Sequence, residues 1–535
     1  MATSPLQALQ RLLAAATIVA GCSSAYASDS PDSISWHNPM EAGYPTVQNR
    51  AWADDTTYHR LPTQATRLLT AESRNDAMLP AGLAVGFFTD AGEIKIRINP
   101  DGEDPGRLFQ VDRNGIWHQC RRIAGTTPPT FAAPVAPIHG FGTEYRYYLP
   151  HTRPIDRLEI GTEADAKLKF AAADRSLPIV VYGRNDRTET QQEWISGLQR
   201  NIDLPTINLA IADAPLPQSE LTALIGSIPS RLYILDFTPT ALTDPTDNTT
   251  AIAEAVKEIR RHHRSTPILV ISDDKALQTV CDSIGNTPTA PLHRLACPDT
   301  RRAVSTIETT VREILGMKQG SAPTTVEVSQ RRDIGAYDWH QRHLDICHHI
   351  DSARPSNLLI GNSIVHYWGG KPGNRRVNGP ETWRKVMEPE GFVNMGCGWD
   401  RIENVLWRIY HGEIDHTAAD NIVVMIGTNN LASSTPDEIC EGIGHLIEAI
   451  GLRQPRARII LVGLLPRRKL EPTVARLNQS LEQIAAEKEA SYINPGKLML
   501  LPDGKIDESL FLDGLHPNDR GYAIIAPHIV AAMKR

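Results

Sequence analysis

Two residues near the C-terminal end of the chain could perform acid–base chemistry. Asp513 precedes His516 by three positions, so one loop or helical turn can bring its carboxylate to Nδ1 of the imidazole. That contact fixes the tautomer of the ring and stabilises its protonated form. The sequence therefore predicts that Asp513 and His516 act together on the proton of a nucleophilic side chain.

Ser363 is the candidate nucleophile. It follows the apolar run 357–360 and Gly361, and a second apolar run, 422–426, ends in a turn that contains Asn429. Both runs are typical of buried parallel strands, whose carboxyl ends carry the functional residues of open α/β sheets. We expect Ser363 to attack an ester carbonyl while His516 transfers the proton to the leaving alcohol and Asp513 orients His516.

The same chemistry needs hydrogen-bond donors where the oxyanion forms. The backbone N–H of Ser363 and the side-chain amide of Asn429 are two candidates. A third could come from the turn 396–400, where Gly398 and Trp399 are predicted jointly as the donor.

The order of these segments resembles the SGNH, or GDSL-type, hydrolases, whose four blocks carry a serine, a glycine, an asparagine and a histidine. The stretch 394–413, followed by 427–430, is most similar to the branch that includes platelet-activating-factor acetylhydrolase subunits and bacterial carbohydrate acetyl esterases. The resemblance covers roughly residues 340 to 535. It implies a flavodoxin-like three-layer α/β fold and ester hydrolysis without a metal or cofactor. Two departures are Asn362, where the family usually has aspartate, and Trp399 on the usual oxyanion glycine. Trp399, Trp368 and Tyr367 could shape a platform for sugar or acyl groups, and packing in the core is the alternative role of these aromatics.

Three folded units are expected, and only the C-terminal one carries this site. Alternating isoleucines and many turns predict an antiparallel β-sandwich over 35–168. Strands alternating with helices predict α/β units over 175–320 and 335–535, joined through a polar linker at 318–325. Trp52 and Trp117 in the sandwich could face a sugar, although core packing is the commoner role of such aromatics.

The 175–320 unit also resembles an SGNH domain. Asn185 stands at the position of the family's serine, and an amide cannot act as the acyl-accepting nucleophile. The resemblance therefore implies a catalytically inactive copy, which we expect to serve with the sandwich as a scaffold or a polymer-binding surface.

Residues 1–27 have the pattern of a secretory signal, with an apolar stretch too short for a permanent transmembrane helix. Two cleavage sites compete, a lipobox ending at Cys22 and the small-residue site 25–27. We expect an exported protein, periplasmic or at the cell surface, with a lipid anchor at Cys22 in the first case. The remaining cysteines are scattered without a CxxC pair, and Cys347 with its two neighbouring histidines is expected to be a polar helix end or loop rather than a metal site.

The composition fits a soluble globular protein, with 41% hydrophobic and 22% charged residues in 535. A net charge of −7 gives no reason to expect nucleic acid as a partner. The leading hypothesis is an esterase that removes small acyl groups, acetyl above all, from polysaccharides or oligosaccharides. A lipid or phospholipid acylhydrolase and a non-catalytic carbohydrate-binding protein are the alternatives.

Overall fold

The structure is a computed structural model that describes residues 34–52, 57–62, 65, 67, 69–112, 115–134, 142–174, 176–183, 189–211, 219–238, 245–272, 287, 289–296, 304–330 and 337–534. The predictions for residues 1–27, for Cys22 and for Asn185 lie outside the described residues. Within those ranges, no helix is both long enough and apolar enough to cross a bilayer.

The first unit consists of two antiparallel sheets, which confirms the predicted sandwich. Their strand orders are β1-β10-β4-β8-β7 and β11-β3-β9-β5-β6, and β2 pairs with β3. Ile94 and Ile96 face the core while Lys95 and Arg97 point outward, as the two-residue period of a strand requires. The elements are β1 (Ile34–His37), β2 (Val47–Gln48), α1 (Ala71–Met78), β3 (Ala84–Thr89), β4 (Glu93–Asn99), β5 (Arg107–Val111), β6 (Trp117–Gln119), β7 (Arg121–Ile123), β8 (Thr130–Ala132), β9 (Thr143–Tyr148), β10 (Arg157–Glu163) and β11 (Leu168–Phe170).

The second unit contains a parallel sheet of order β13-β12-β14-β15-β16. Strands β12, β13, β14 and β15 are buried along their whole length, as expected of a sheet covered by helices on both faces. The elements are β12 (Ile179–Gly183), α2 (Glu189–Ile202), β13 (Thr206–Asn208), α3 (Ser219–Gly226), β14 (Leu232–Asp236), α4 (Pro245–His262), β15 (Ile268–Ser272), β16 (Leu292–Ala296) and α5 (Val304–Ile314).

The third unit repeats this topology with the order β18-β17-β19-β20-β21, again all parallel. The strand order reverses between β17 and β19, which is where flavodoxin-like sheets bind their ligands. The elements are α6 (Trp339–Ala353), β17 (Asn357–Gly361), α7 (Ser363–His366), α8 (Pro380–Thr382), β18 (Phe392–Gly396), α9 (Ile402–Tyr410), β19 (Asn421–Met425), α10 (Pro436–Arg453), β20 (Arg458–Val462), α11 (Glu471–Glu487), β21 (Ser491–Ile493) and α12 (Asp519–Met533).

The predicted linker at 318–325 packs against the third unit instead of forming an exposed tether. The Tyr410 hydroxyl donates to the Lys318 carbonyl at 2.7 Å. The Ser321 hydroxyl donates to the Glu441 carboxylate at 2.9 Å, and the Thr324 hydroxyl donates to the Glu438 carbonyl at 2.5 Å. The Ser321 and Thr324 side chains are thus hydrogen-bonded to helix α10, and the Lys318 carbonyl accepts from helix α9.

Candidate active site

The end of strand β17 places Ser363 at the edge of the sheet. A Cβ on Gly361 would lie 2.5 Å from the Met425 carbonyl oxygen, so only glycine fits where the chain leaves the strand. The Asn362 side chain then accepts a hydrogen bond from the Ile364 N–H at 2.9 Å and caps α7. Aspartate and asparagine cap helices equally well, which explains why this departure from the family pattern is tolerated.

Ser363, His516 and Asp513 form a continuous hydrogen-bonded series. Ser363 Oγ lies 2.9 Å from His516 Nε2, and His516 Nδ1 lies 2.7 Å from Asp513 Oδ2. The second oxygen of Asp513 accepts from the backbone N–H groups of His516 and Leu515, at 2.8 and 3.1 Å. The three predicted residues thus meet although Ser363 and His516 are 153 positions apart.

The Asp513 carboxylate is partly exposed, with 46% of its side chain accessible. Burial alone would raise its pKa, but the hydrogen bonds from His516 and Leu515 outweigh that effect and hold the pKa below its ordinary value. Asp513 is therefore charged near neutral pH and can stabilise a protonated His516.

Two residues adjoin this series: Tyr367, one of the aromatics expected near the site, and Arg376, which we did not predict from the sequence. The ring of Tyr367 lies 5.4 Å from that of His516, and the Arg376 guanidinium lies 4.5 Å above the Tyr367 ring. Arg376 Nη2 is also 3.8 Å from Asp513 Oδ2. Tyr367 follows Ser363 by one helical turn, which is a usable sequence signal, whereas no local pattern points to Arg376.

Of the predicted oxyanion donors, Ser363 and Asn429 remain well placed for that role. Ser363 is the first residue of α7, where a backbone N–H has no acceptor within the helix. One N–H of the Asn429 amide donates to the Asp400 carbonyl at 2.9 Å, and a side-chain amide has a second N–H to offer.

The prediction for Gly398 needs correction. Its N–H donates to His366 Nδ1 at 3.0 Å, so this donor is already engaged inside the protein. Burial, with a contribution from the positive charges of Arg342 and Arg408, lowers the pKa of His366 to about 3. The imidazole is therefore neutral and able to accept that bond. Trp399 remains as the predicted donor of this turn.

The backbone of Trp399 has φ of 62°, in the left-handed region that favours glycine. The side chain is 39% exposed and stacks on Tyr337, with ring centroids 6.2 Å apart and an interplanar angle of 22°. The Tyr337 hydroxyl donates to the Gly398 carbonyl at 2.7 Å. Trp399, stacked on Tyr337, thus stands where the family usually has a glycine.

Trp368 lies inside the protein instead of facing the site. It is fully buried and stacks on Tyr522 of α12 at 4.5 Å. Tyr367, which directly precedes it, is half-buried, whereas residues 361–366 are buried. Only the tertiary packing distinguishes these two neighbours.

A buried charge network holds the turn that follows Trp399. Arg408 is fully buried and donates to Asp400 Oδ2 at 2.9 Å and to the Glu413 carboxylate. Trp339 Nε1 and Gln330 Nε2 both donate to Asp400 Oδ1 at 2.7 Å. Burial raises the pKa of Asp400 to about 7 despite the opposing charge of Arg408.

Among the described residues, no group of three or more histidine, cysteine, aspartate or glutamate side chains could hold a metal ion. The predicted polar helix end at Cys347 is part of helix α6. The chemistry available at the edge of the third sheet is therefore that of a serine nucleophile with a histidine–aspartate pair.

Models of known families match all three units. A GDSL-like lipase/acylhydrolase family matches residues 359–524, a second family of the same description matches 178–346, and the N-terminus of SGNH-type esterases matches 34–168.

Individual relatives match part of the chain. Human platelet-activating factor acetylhydrolase IB subunit alpha2 is 30% identical over 215 residues, which are 39% of this chain and 90% of the relative. The human alpha1 subunit is 28% identical over 207 residues, 38% of this chain and 84% of the relative. The solved structure of a candidate GDSL-like lipase from Bacteroides ovatus is 18% identical with a TM-score of 0.44, covering 53% of this chain and 98% of its own.

The family model that matches residues 359–524 includes Ser363, Asn429 and His516, and the match to the alpha2 subunit extends over 90% of that relative. The chain belongs to the GDSL-like, or SGNH, family of lipases and acylhydrolases, and is a carboxylic ester hydrolase.

Proposed function

We propose that the protein is an exported serine esterase that removes small acyl groups, acetyl above all, from polysaccharides or oligosaccharides. The observation that carries the proposal is the unbroken series Ser363–His516–Asp513, with contacts of 2.9 and 2.7 Å. Distances of this size allow proton transfer without rearrangement of the site.

In the first step His516 Nε2 takes the Ser363 proton while Oγ attacks the ester carbonyl. The N–H groups of Ser363, Asn429 and Trp399 donate to the oxyanion, and Asp513 stabilises the imidazolium. The C–O bond to the alcohol then breaks, and His516 gives its proton to the departing oxygen. A water molecule, deprotonated by His516, attacks the acyl-enzyme in the same way and releases the acid.

Two observations support an acetylated sugar as substrate. The relatives that match the catalytic unit bear the name acetylhydrolase, which favours a short acyl group. The turn next to the site exposes Trp399, whose ring stacks on that of Tyr337. A flat aromatic surface of this kind suits the apolar face of a sugar ring.

A lipid ester is the second candidate, and a specific observation favours it. Leu512 is 56% exposed beside Asp513, and Val377 is 42% exposed beside Arg376. Exposed apolar side chains at the entrance of a site can bind an acyl chain. The comparison of acyl lengths described below separates this candidate from the first.

The test measures acetate release from acetylated xylan and hydrolysis of p-nitrophenyl acetate and octanoate. We expect the wild-type chain to cleave both acetyl esters and to prefer acetate to octanoate. Ser363→Ala should lower kcat on each substrate by about 10⁴-fold or more, since no other group can form the acyl-enzyme.

Ser480→Ala is the matched control, because Ser480 is an exposed serine on α11. It should retain wild-type rates. Unchanged activity in Ser363→Ala would refute the serine mechanism, and a clear preference for octanoate would favour the lipid substrate.

Export is proposed from residues 1–27 alone. Intact-mass analysis of protein purified from a secreting host should show loss of this segment, with a lipid on Cys22 if the lipobox is cleaved. Retention of residues 1–27 in the mature protein would contradict export by this signal.

A further inference from the structure

A cavity of about 350 Å³ lies between the sandwich and the third unit. Strands β3, β9 and β11 form one wall, and helices α6 and α9 form the other. Its size falls within the range of roughly 300–1,000 Å³ that is usual for sites of small ligands. Its lining includes the rings of Phe88, Phe170, Trp339 and Trp407.

Hydrogen bonds hold two of these rings in place. Trp339 Nε1 donates to Asp400 Oδ1 at 2.7 Å, and Trp407 Nε1 donates to Asp203 Oδ2 at 3.1 Å. Both indoles are buried, and each ring stacks on a histidine, Trp339 on His343 and Trp407 on His411. The cavity therefore has a preformed wall of the kind that binds a ligand without a large ordering cost.

Two polar atoms of the lining have no hydrogen-bond partner in the described part of the chain. Arg146 is 8% exposed and pairs through Nη2 with Glu144 and Asp203, yet its Nη1 is buried and unpaired. Gln330 uses Nε2 to reach Gly398 and Asp400, whereas its buried Oε1 has no donor. Both atoms are buried away from the cavity, so a ligand there would meet the exposed polar side chains of Lys169, Asp338 and Gln341 instead.

The charge of the lining restricts the chemistry of that ligand. Four carboxylates, those of Glu144, Asp174, Asp203 and Asp338, face two cations, Arg146 and Lys169. An excess of negative charge disfavours an anion. A hydroxyl group both donates and accepts, and a ring that carries several hydroxyls on an apolar frame matches the aromatic residues of the lining as well as the exposed side chains of Lys169, Asp338 and Gln341.

We propose that this interdomain cavity is a binding site for one or two rings of a neutral oligosaccharide, separate from the Ser363 site. The site goes beyond the proposed ester hydrolysis and does not depend on it. It would hold an unmodified stretch of glycan between the sandwich and the third unit.

Isothermal titration calorimetry of the full chain with xylotriose, cellotriose and tri-galacturonic acid tests the proposal. We expect saturable binding of at least one neutral trisaccharide, and weaker binding of the anionic one. Ala172→Trp should weaken that binding at least tenfold, because Ala172 is exposed and lines the cavity, so that an indole there occupies the space without disturbing the core. His340→Ala, which removes an exposed ring from the same lining, should weaken it in the same direction.

Ala164→Trp is the matched control, since Ala164 is exposed in the turn after β10 and does not line the cavity. It should bind as the wild type does. Hydrolysis of p-nitrophenyl acetate should be unchanged in Ala172→Trp, which separates this site from the catalytic one. Absence of saturable binding of either neutral trisaccharide, wild-type binding by Ala172→Trp, or tighter binding of the anionic trisaccharide would each overturn the proposal.

Discussion

The chemistry of the site depends on a few side chains whose partners define their charge. Asp513 accepts from the His516 side chain and from two backbone N–H groups, and those bonds lower its pKa. It contributes to folding stability above its ordinary pKa, and that contribution is lost as the pH falls through its lowered value. Since nearly half of the side chain is exposed, solvent screens this contribution. The role of Asp513 is therefore better tested by activity than by stability.

Asp513→Asn should lower kcat on p-nitrophenyl acetate by about 10³-fold. The amide keeps the shape of the side chain but removes the charge that stabilises the imidazolium, and it can favour the wrong tautomer of His516. Steady-state kinetics at neutral pH measure the effect. Asp437→Asn, on the exposed first turn of α10, is the control, and activity of Asp513→Asn within a few-fold of wild type would show that another group orients His516.

Asp400 should give the folding stability a measurable pH dependence. Its pKa is about 7 in the folded protein and about 3.9 in an unfolded chain. Between these values the folded state binds a proton that the unfolded state has released. The contribution of Asp400 to the free energy of unfolding therefore falls as the pH rises from about 3.9 to about 7 and is constant above that.

Asp400→Asn removes this titration. Relative to the variant, the wild-type protein should lose free energy of unfolding between about pH 4 and about pH 7, as measured by urea denaturation. His366 titrates in the opposite sense, since its lowered pKa gives stability that is lost as the pH falls through the range below 6.5, but it is present in both proteins and cancels in the difference. A difference that does not change with pH would mean that Asp400 is fully ionised when buried.

At the scale of elements, α12 packs against α7, the helix that begins at Ser363. The Tyr522 hydroxyl donates to the Ile364 carbonyl at 2.6 Å, and its ring stacks on Trp368 at 4.5 Å. Both contacts are buried, and they join the last helix of the chain to α7. The position of Ser363 therefore depends on a segment that is distant in the sequence.

Tyr522→Phe should lower the free energy of unfolding by about 1–3 kcal/mol, because it removes the donor to a buried carbonyl while keeping the stacked ring. Tyr522→Leu should cost more, since it also removes the ring. Thermal denaturation followed by circular dichroism ranks the two variants. Equal stability of Tyr522→Phe and wild type would show that the hydroxyl contact contributes nothing.

At the scale of the whole molecule, Asp203 connects all three units. It lies just after α2 with φ of 56°. Its carboxylate contacts Arg146 of the sandwich at 3.3 Å and Trp407 of the third unit at 3.1 Å, and its carbonyl lies 3.0 Å from His411 Nε2. The α/β units also share one apolar cluster, so we expect them to unfold together.

Asp203→Asn should lower the free energy of unfolding by about 1–3 kcal/mol. Asparagine tolerates the left-handed backbone and keeps an acceptor for Trp407, so that the loss reports the charge opposite Arg146. Differential scanning calorimetry should show a lower transition temperature than for wild type, whereas Asp165→Asn in an exposed turn should not change it. An unaltered transition would mean that the ion pair is not needed to hold the units together.

Much of the architecture follows from local patterns. Alternating residues such as Ile94 and Ile96 predict strands of the sandwich, and apolar runs such as 357–360 and 422–426 predict parallel strands. Local patterns do not describe the environment of a side chain. Trp368 and Tyr367 are adjacent aromatics, yet only Trp368 is buried, and the predicted linker 318–325 is hydrogen-bonded to helices α9 and α10.

From the sequence alone we could predict Ser363, His516 and Asp513 as the reacting set, because parallel strands bring their carboxyl ends to one edge and a carboxylate three residues before a histidine can reach it. The sequence also indicated the family, through the order of the short segments that contain Ser363, the turn 396–400, Asn429 and His516. Only the tertiary structure decided which donors are free for an oxyanion, since the Gly398 N–H finds its acceptor 32 residues away in His366. It also decided how the units meet, since Trp407 and Asp203 are 204 positions apart. Contacts of this kind depend on how helices pack across sheets, and packing is a property of the whole chain that no short pattern contains.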